Sequence, residues 1–103
     1  MHRGVTGKPW TDEEISAVVE SYFEMLTMDS EGRSFVKAAI YRDLAVKIGS
    51  RNTKSVERKM SNISAVLVSL GFPYLRGLAP SSNYQRSLQV FVQAELKRSR
   101  IVE

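Results

Sequence analysis

A chain of 103 residues has room for one hydrophobic core and excludes an enzyme built from separate cofactor and substrate domains. Its 43% apolar and 25% charged residues match an ordered soluble domain, the absence of cysteine excludes disulfides and thiolate zinc sites, and the single His2 cannot build a metal site alone. A net charge of +4 barely favours polyanions by itself, and no apolar run approaches the roughly 20 residues of a membrane span or the core of a secretory signal, so a cytoplasmic protein without membrane attachment is expected.

Residues 1–8 form a flexible N-terminal arm by composition, and a helical domain is expected over 9–97. Thr11 and Glu14 make a capping box, Trp10 and Ile15 a hydrophobic staple, and Asp12, Glu13 and Glu14 suit the dipole of a first helix. Ile15, Val18, Val19, Tyr22, Phe23 and Leu26 recur at helical spacing, which points Glu13, Glu20 and Glu24 outward and ends the helix near Met28. Asp29 to Ser34 is a turn, after which a second helix runs to about Ile48 and buries Phe35, Ala38, Tyr41 or Ile40, Leu44, Ala45 and Ile48.

Gly49 stands where a left-handed cap is needed, and Asn52 or Thr53 caps a third helix. Val56, Met60, Ile63, Leu67 and Leu70 form its apolar stripe. Gly71 ends that helix and Pro73 blocks continuation, making FPYLRGLAPSS a fixed surface loop. A fourth helix is expected from near Asn83, with Tyr84, Leu88, Phe91, Val92 and Leu96 inward, followed at 98–103 by a basic tail or linker stub. The fold class is therefore all-α, four helices with a helix-turn-helix-like core of three.

Charge is segregated along the chain. Residues 12 to 31 hold seven acids and no Lys or Arg, whereas residues 33 to 59 hold eight bases against Asp43 and Glu57. Two solvated helix faces of opposite sign explain this; so does one side that faces a polyanion. At about 100° per residue, the outer face of the third helix carries Lys54, Arg58, Ser61 and Ala65, with Asn62 and Ser69 beside them. Two long cations followed by small residues suit the DNA major groove. Arg58 matches guanine, and Asn62 matches either adenine or, from the edge of the stripe, a neighbouring loop such as the carbonyl-rich segment at 73–80, while Arg51, Asn52, Thr53 and Lys54 lie at the helix start, where phosphates bind. Exposed Lys, Arg, Ser and Ala are also what any solvated helix carries.

KPWTDEE and IYRDLAVKIGSRNTKSVERKM resemble the layout of Myb-like domains, although the later tryptophans are missing and a fourth helix is added. The chain is also similar to an N-terminal domain of bacterial restriction-type proteins, some of which carry an HNH nuclease or another defence-associated domain downstream. The shared motifs are WTDEE at 10–14, SVERKMSNISAVL at 55–67, GFPYLRG at 71–77 and NYQ at 83–85, and they span most of residues 9 to 96. That resemblance implies a targeting module for duplex DNA, modified DNA included, within a nuclease system, either as the N-terminal domain of a longer protein with an attached nuclease domain or as a free-standing relative.

No catalytic constellation, cofactor motif or phosphate-binding glycine loop is present in the sequence, so no enzyme activity and no cofactor are expected of this chain. Two other readings stay open. One is a protein-interaction module using the acidic first helix or the loop at 72–80; the other is a small dimeric regulator associating around Phe91 and Val92. The DNA reading predicts a log–log salt slope of about −3 to −5, for roughly four or five neutralised phosphates.

Overall fold

Thr11 opens α1 (Asp12–Ser30) with the expected capping box, its side chain accepting from the Glu14 amide while the Glu14 carboxylate accepts from the Thr11 amide. The computed structural model describes residues 9–99, so the expected arm at 1–8 and residues 100–103 of the expected tail lie outside it. α2 (Lys37–Ile48), α3 (Thr53–Ser69) and α4 (Ser87–Ser99) follow, with no strand among the described residues. None of these helices is long and apolar enough to cross a membrane.

α1 continues two residues past Met28, because the Arg33 and Gly32 amides close the last turn onto the Met28 and Asp29 carbonyls. α2 starts after Phe35, which packs half-buried in front of it, and Ala38 is exposed rather than buried. Tyr41 takes the core position, and Ile40 borders a groove against α1. Gly49 caps α2 at φ 82°, a left-handed conformation that suits glycine, and thereby turns the chain within three residues into Asn52, the cap of α3.

α1 and α3 form the central pair. α2 packs on both from one side and α4 on both from the other, and among the described residues α2 and α4 do not meet. The core runs from Ile15, Val18, Tyr22 and Met25 through Val56, Met60, Ile63 and Leu67 to Leu88 and Val92. Burying a side chain of this kind contributes about 1.5–3 kcal/mol, so this shared surface holds the helices together.

After α3, Gly71 at φ 85° lets the Phe72 amide return to the Leu67 carbonyl, and the chain crosses back over the bundle. Leu75 and Leu78 enter the core from this loop. The Leu75 amide donates to the Tyr22 hydroxyl at 2.9 Å, and that hydroxyl is hydrogen-bonded to Ser64 at 2.7 Å. One buried phenol thus joins α1, α3 and the loop, and burial pushes its pKa up.

α4 begins four residues later than expected, after a non-helical stretch at 81–85 in which Ser81 is bonded to α3 and the Gln85 side chain to Trp10. Tyr84 precedes the helix, half-buried. Val92 is fully buried and Phe91 packs half-buried against the core. Val90 is the apolar residue that α4 turns outward.

Candidate nucleic-acid interface

Asn52 starts α3 by accepting the Ser55 amide on its Oδ1 at 2.8 Å, which leaves its side-chain NH2 toward solvent. Thr53, Lys54, Glu57 and Arg58 are exposed through the first two turns, and Ser61 is half-exposed on the same strip. Lys54 and Arg58 have no ion-pair partner among the described residues. Glu57 is the one acid among them, on the side toward α2, where its charge adds to burial in pushing Tyr41 up to about 12.

Beyond Ser61 the strip closes. Ala65, expected on the open face, is 7% exposed, and all six residues from Asn62 to Leu67 are buried. Asn62, expected to meet either adenine or a neighbouring loop, is 4% exposed and donates from Nδ2 to the Ser81 carbonyl at 2.6 Å. The Ser81 amide in turn donates to the Ser61 carbonyl at 3.1 Å. Asn62 is therefore withdrawn from the set of base contacts. Asn62→Ala leaves the Ser81 carbonyl unpaired, a cost of about 1–3 kcal/mol that a urea melt reads, with helical content of the folded state unchanged. Unaltered stability in Asn62→Ala would show this bond to be idle.

Arg51 is corrected as well. Its side chain keeps 9% of its surface and donates from Nη2 to the Pro9 carbonyl at 2.8 Å and to Glu14 Oε1 at 3.0 Å. The guanidinium lies 4.5 Å from the centre of the Trp10 ring, close enough for a cation–π contact. Ser50 donates to the other Glu14 oxygen. Arg51 thus ties the turn before α3 to the start of α1 instead of gripping a DNA backbone.

Burial alone raises the Glu14 carboxyl, but the bonds from Arg51, Ser50 and Thr11 outweigh it and bring the group down to about 2. Lys59 completes the cluster. It is 6% exposed, with its ammonium 4.9 Å from the Trp10 ring centre, and burial followed by the Arg51 charge lowers its pKa. The sequence contains a signal for this: Lys59 lies three residues after Val56 and four before Ile63, inside the apolar stripe.

Half of the eight bases counted at 33–59 are thereby engaged within the protein. Arg33 pairs with Glu31, Lys37 lies under Gly77 and over the Phe35 ring, and Arg51 and Lys59 hold Trp10. Lys47 borders the groove that contains Glu20, Glu24 and Asp43. Arg42, Lys54 and Arg58 remain exposed, without an ion-pair partner among the described residues. Missing from the sequence reading were Arg76 and Arg86, both exposed, in a stretch from Arg58 to Ala94 that contains no acid.

Among the described residues no group of three metal-ligating side chains forms. Comparison with protein-family models, with curated proteins and with solved structures gives no match.

Proposed function

We propose that this chain is a DNA-binding module that enters the major groove of duplex DNA with the first two turns of α3. The observation that carries the reading is the strip of Lys54, Arg58 and Ser61, exposed and clear of ion pairs immediately behind the tight Gly49–Asn52 turn. A helix-turn-helix reading of α1, α2 and α3 fits, since in such domains the N-terminal residues of the second helix of the motif meet base edges while the preceding helix crosses the backbone.

In this reading Arg58 bonds guanine, Glu57 is placed to accept from cytosine, and Ser61 permits close approach. Thr53, the free NH2 of Asn52 and the first amides of α3 take a phosphate, and Lys54 and Arg42 neutralise others. The similarity to restriction-type N-terminal domains supports a targeting role, with catalysis supplied by an attached nuclease domain and none by this chain. Amide chemical shifts of labelled protein test the reading on addition of a duplex. Changes should concentrate at 52–61, and their absence there would exclude α3 as the contact.

One observation favours a protein-interaction module instead. An apolar groove opens where Leu26 of α1, Phe72 and Pro73 of the loop and Leu96 of α4 meet, with Tyr74 exposed after Pro73. Partner binding there would be indifferent to the charges at 54 and 58.

A further inference from the structure

Ser81 lies flush against α3 one turn beyond Arg58, held by two hydrogen bonds, Ser81 N to the Ser61 carbonyl and Asn62 Nδ2 to the Ser81 carbonyl. Four residues on, Gln85 accepts the Trp10 amide on Oε1 at 3.3 Å and donates from Nε2 to Ser87 at 2.9 Å. The segment 81–86 is therefore a strap stretched from the edge of the α3 strip to the start of α1. Between its anchors Tyr84 packs inward, while Ser82, Asn83 and Arg86 are exposed. Arg86 has no ion-pair partner among the described residues.

We propose that this strap is a second DNA-contacting element, seated on the sugar–phosphate wall beside α3, with Arg86 as its cation and Ser82 and Asn83 as neutral donors. The inference rests on the reading that α3 enters the groove. A helix with its side chains is about 10–12 Å across and the major groove is about 12 Å wide, so an element flush with the outer edge of the helix meets the strand that walls the groove. The strap is already fixed at both ends, which keeps the ordering cost of binding small. No residue of the strap itself carries a carboxylate. By bonding Ser61 and Asn62, the strap closes the surface of α3 directly behind Arg58 and leaves the N-terminal turns to enter the groove.

Fluorescence anisotropy of a labelled duplex, titrated with the full chain across salt concentrations, tests this. Arg86→Gln should reduce the log–log salt slope by about 0.9 and the affinity roughly eightfold near 0.1 M salt, with the unfolding midpoint unchanged. The double substitution Ser82→Ala, Asn83→Ala should weaken binding with the slope kept. Lys97→Gln is the control, an exposed cation about 15 Å further along α4, and should change neither quantity. If Arg86→Gln matches wild type in slope and affinity while charge reversal at Lys54 and Arg58 removes binding, the strap is not a contact and the α3 reading stands. A wild-type chain that does not bind duplex overturns both.

Discussion

Lys54→Glu combined with Arg58→Glu should abolish duplex binding, a loss of at least about 100-fold, while the helical fold persists. The size follows from what each position contributes in the proposed complex. A bidentate arginine–guanine pair supplies about 1–3 kcal/mol of discrimination, and each neutralised phosphate contributes a salt-dependent increment that reversal turns into repulsion. The fold should be indifferent, because both side chains are exposed without ion-pair partners among the described residues, and such surface changes stay within about 0.5 kcal/mol. Lys54→Glu even places an acid in the first turn of α3, which has none, where the helix dipole favours it. Circular dichroism and an unfolding curve check the fold, and anisotropy checks binding. Unimpaired binding by the double variant removes α3 from the interface.

The second large effect concerns stability. Glu14→Gln should cost about 2 kcal/mol at pH 7 and lower the melting midpoint by about 10 °C, once solvent screening is allowed for. Glu14 holds Arg51 and Ser50 against the start of α1, so a neutral amide leaves the nearly buried guanidinium without its counter-charge. The sign of the pH dependence is fixed by the direction of the shift. The folded carboxyl titrates at about 2, below its ordinary 4.5, so its contribution is complete above about pH 4.5 and is lost as pH falls through about 2. The gap between wild type and Glu14→Gln should therefore narrow over that window. Trp10 is the only tryptophan, and its fluorescence reports the cluster directly. Equal stability of the two proteins at pH 7 would show that the ion pair contributes nothing net.

Local signals made much of the fold legible. The Thr11–Glu14 capping box, the glycines at 49 and 71 and the stripe from Val56 to Leu67 each depend on residues a few positions apart, and each stands where the spacing places it. What escaped depends on distant neighbours. Periodicity identifies one buried face of α3, yet it cannot show that α1, α2 and α4 all pack on this helix or choose between a base and a loop for Asn62, which is why Ala65 looked open and Asn62 stayed divided between the two. The strap at 81–86 also delays α4: Ser81 is bonded to α3 and the Gln85 side chain to Trp10, and the first carbonyl to serve the helix is that of Gln85, which accepts the Leu88 amide.

Charge misled for a related reason. Arg51 sits at the helix start, where a phosphate contact is the simple expectation, but Trp10 and Glu14 are brought beside it by the packing of α1 against α2 and α3. Lys59 is hidden by its own position within the apolar stripe. The exposed strip that remains is shorter and less basic than the sequence suggests, and this reduces the number of phosphates the domain can neutralise.

That reduction gives the most direct test of the central claim, the salt dependence of duplex binding by the unmodified chain. With Arg42, Lys54, Arg58 and Arg86 available, the log–log slope should be about −3, at the shallow end of the range expected from the sequence, since roughly three or four phosphates each contribute about 0.9. A flat response, or no measurable binding to duplex at low salt, would contradict the account.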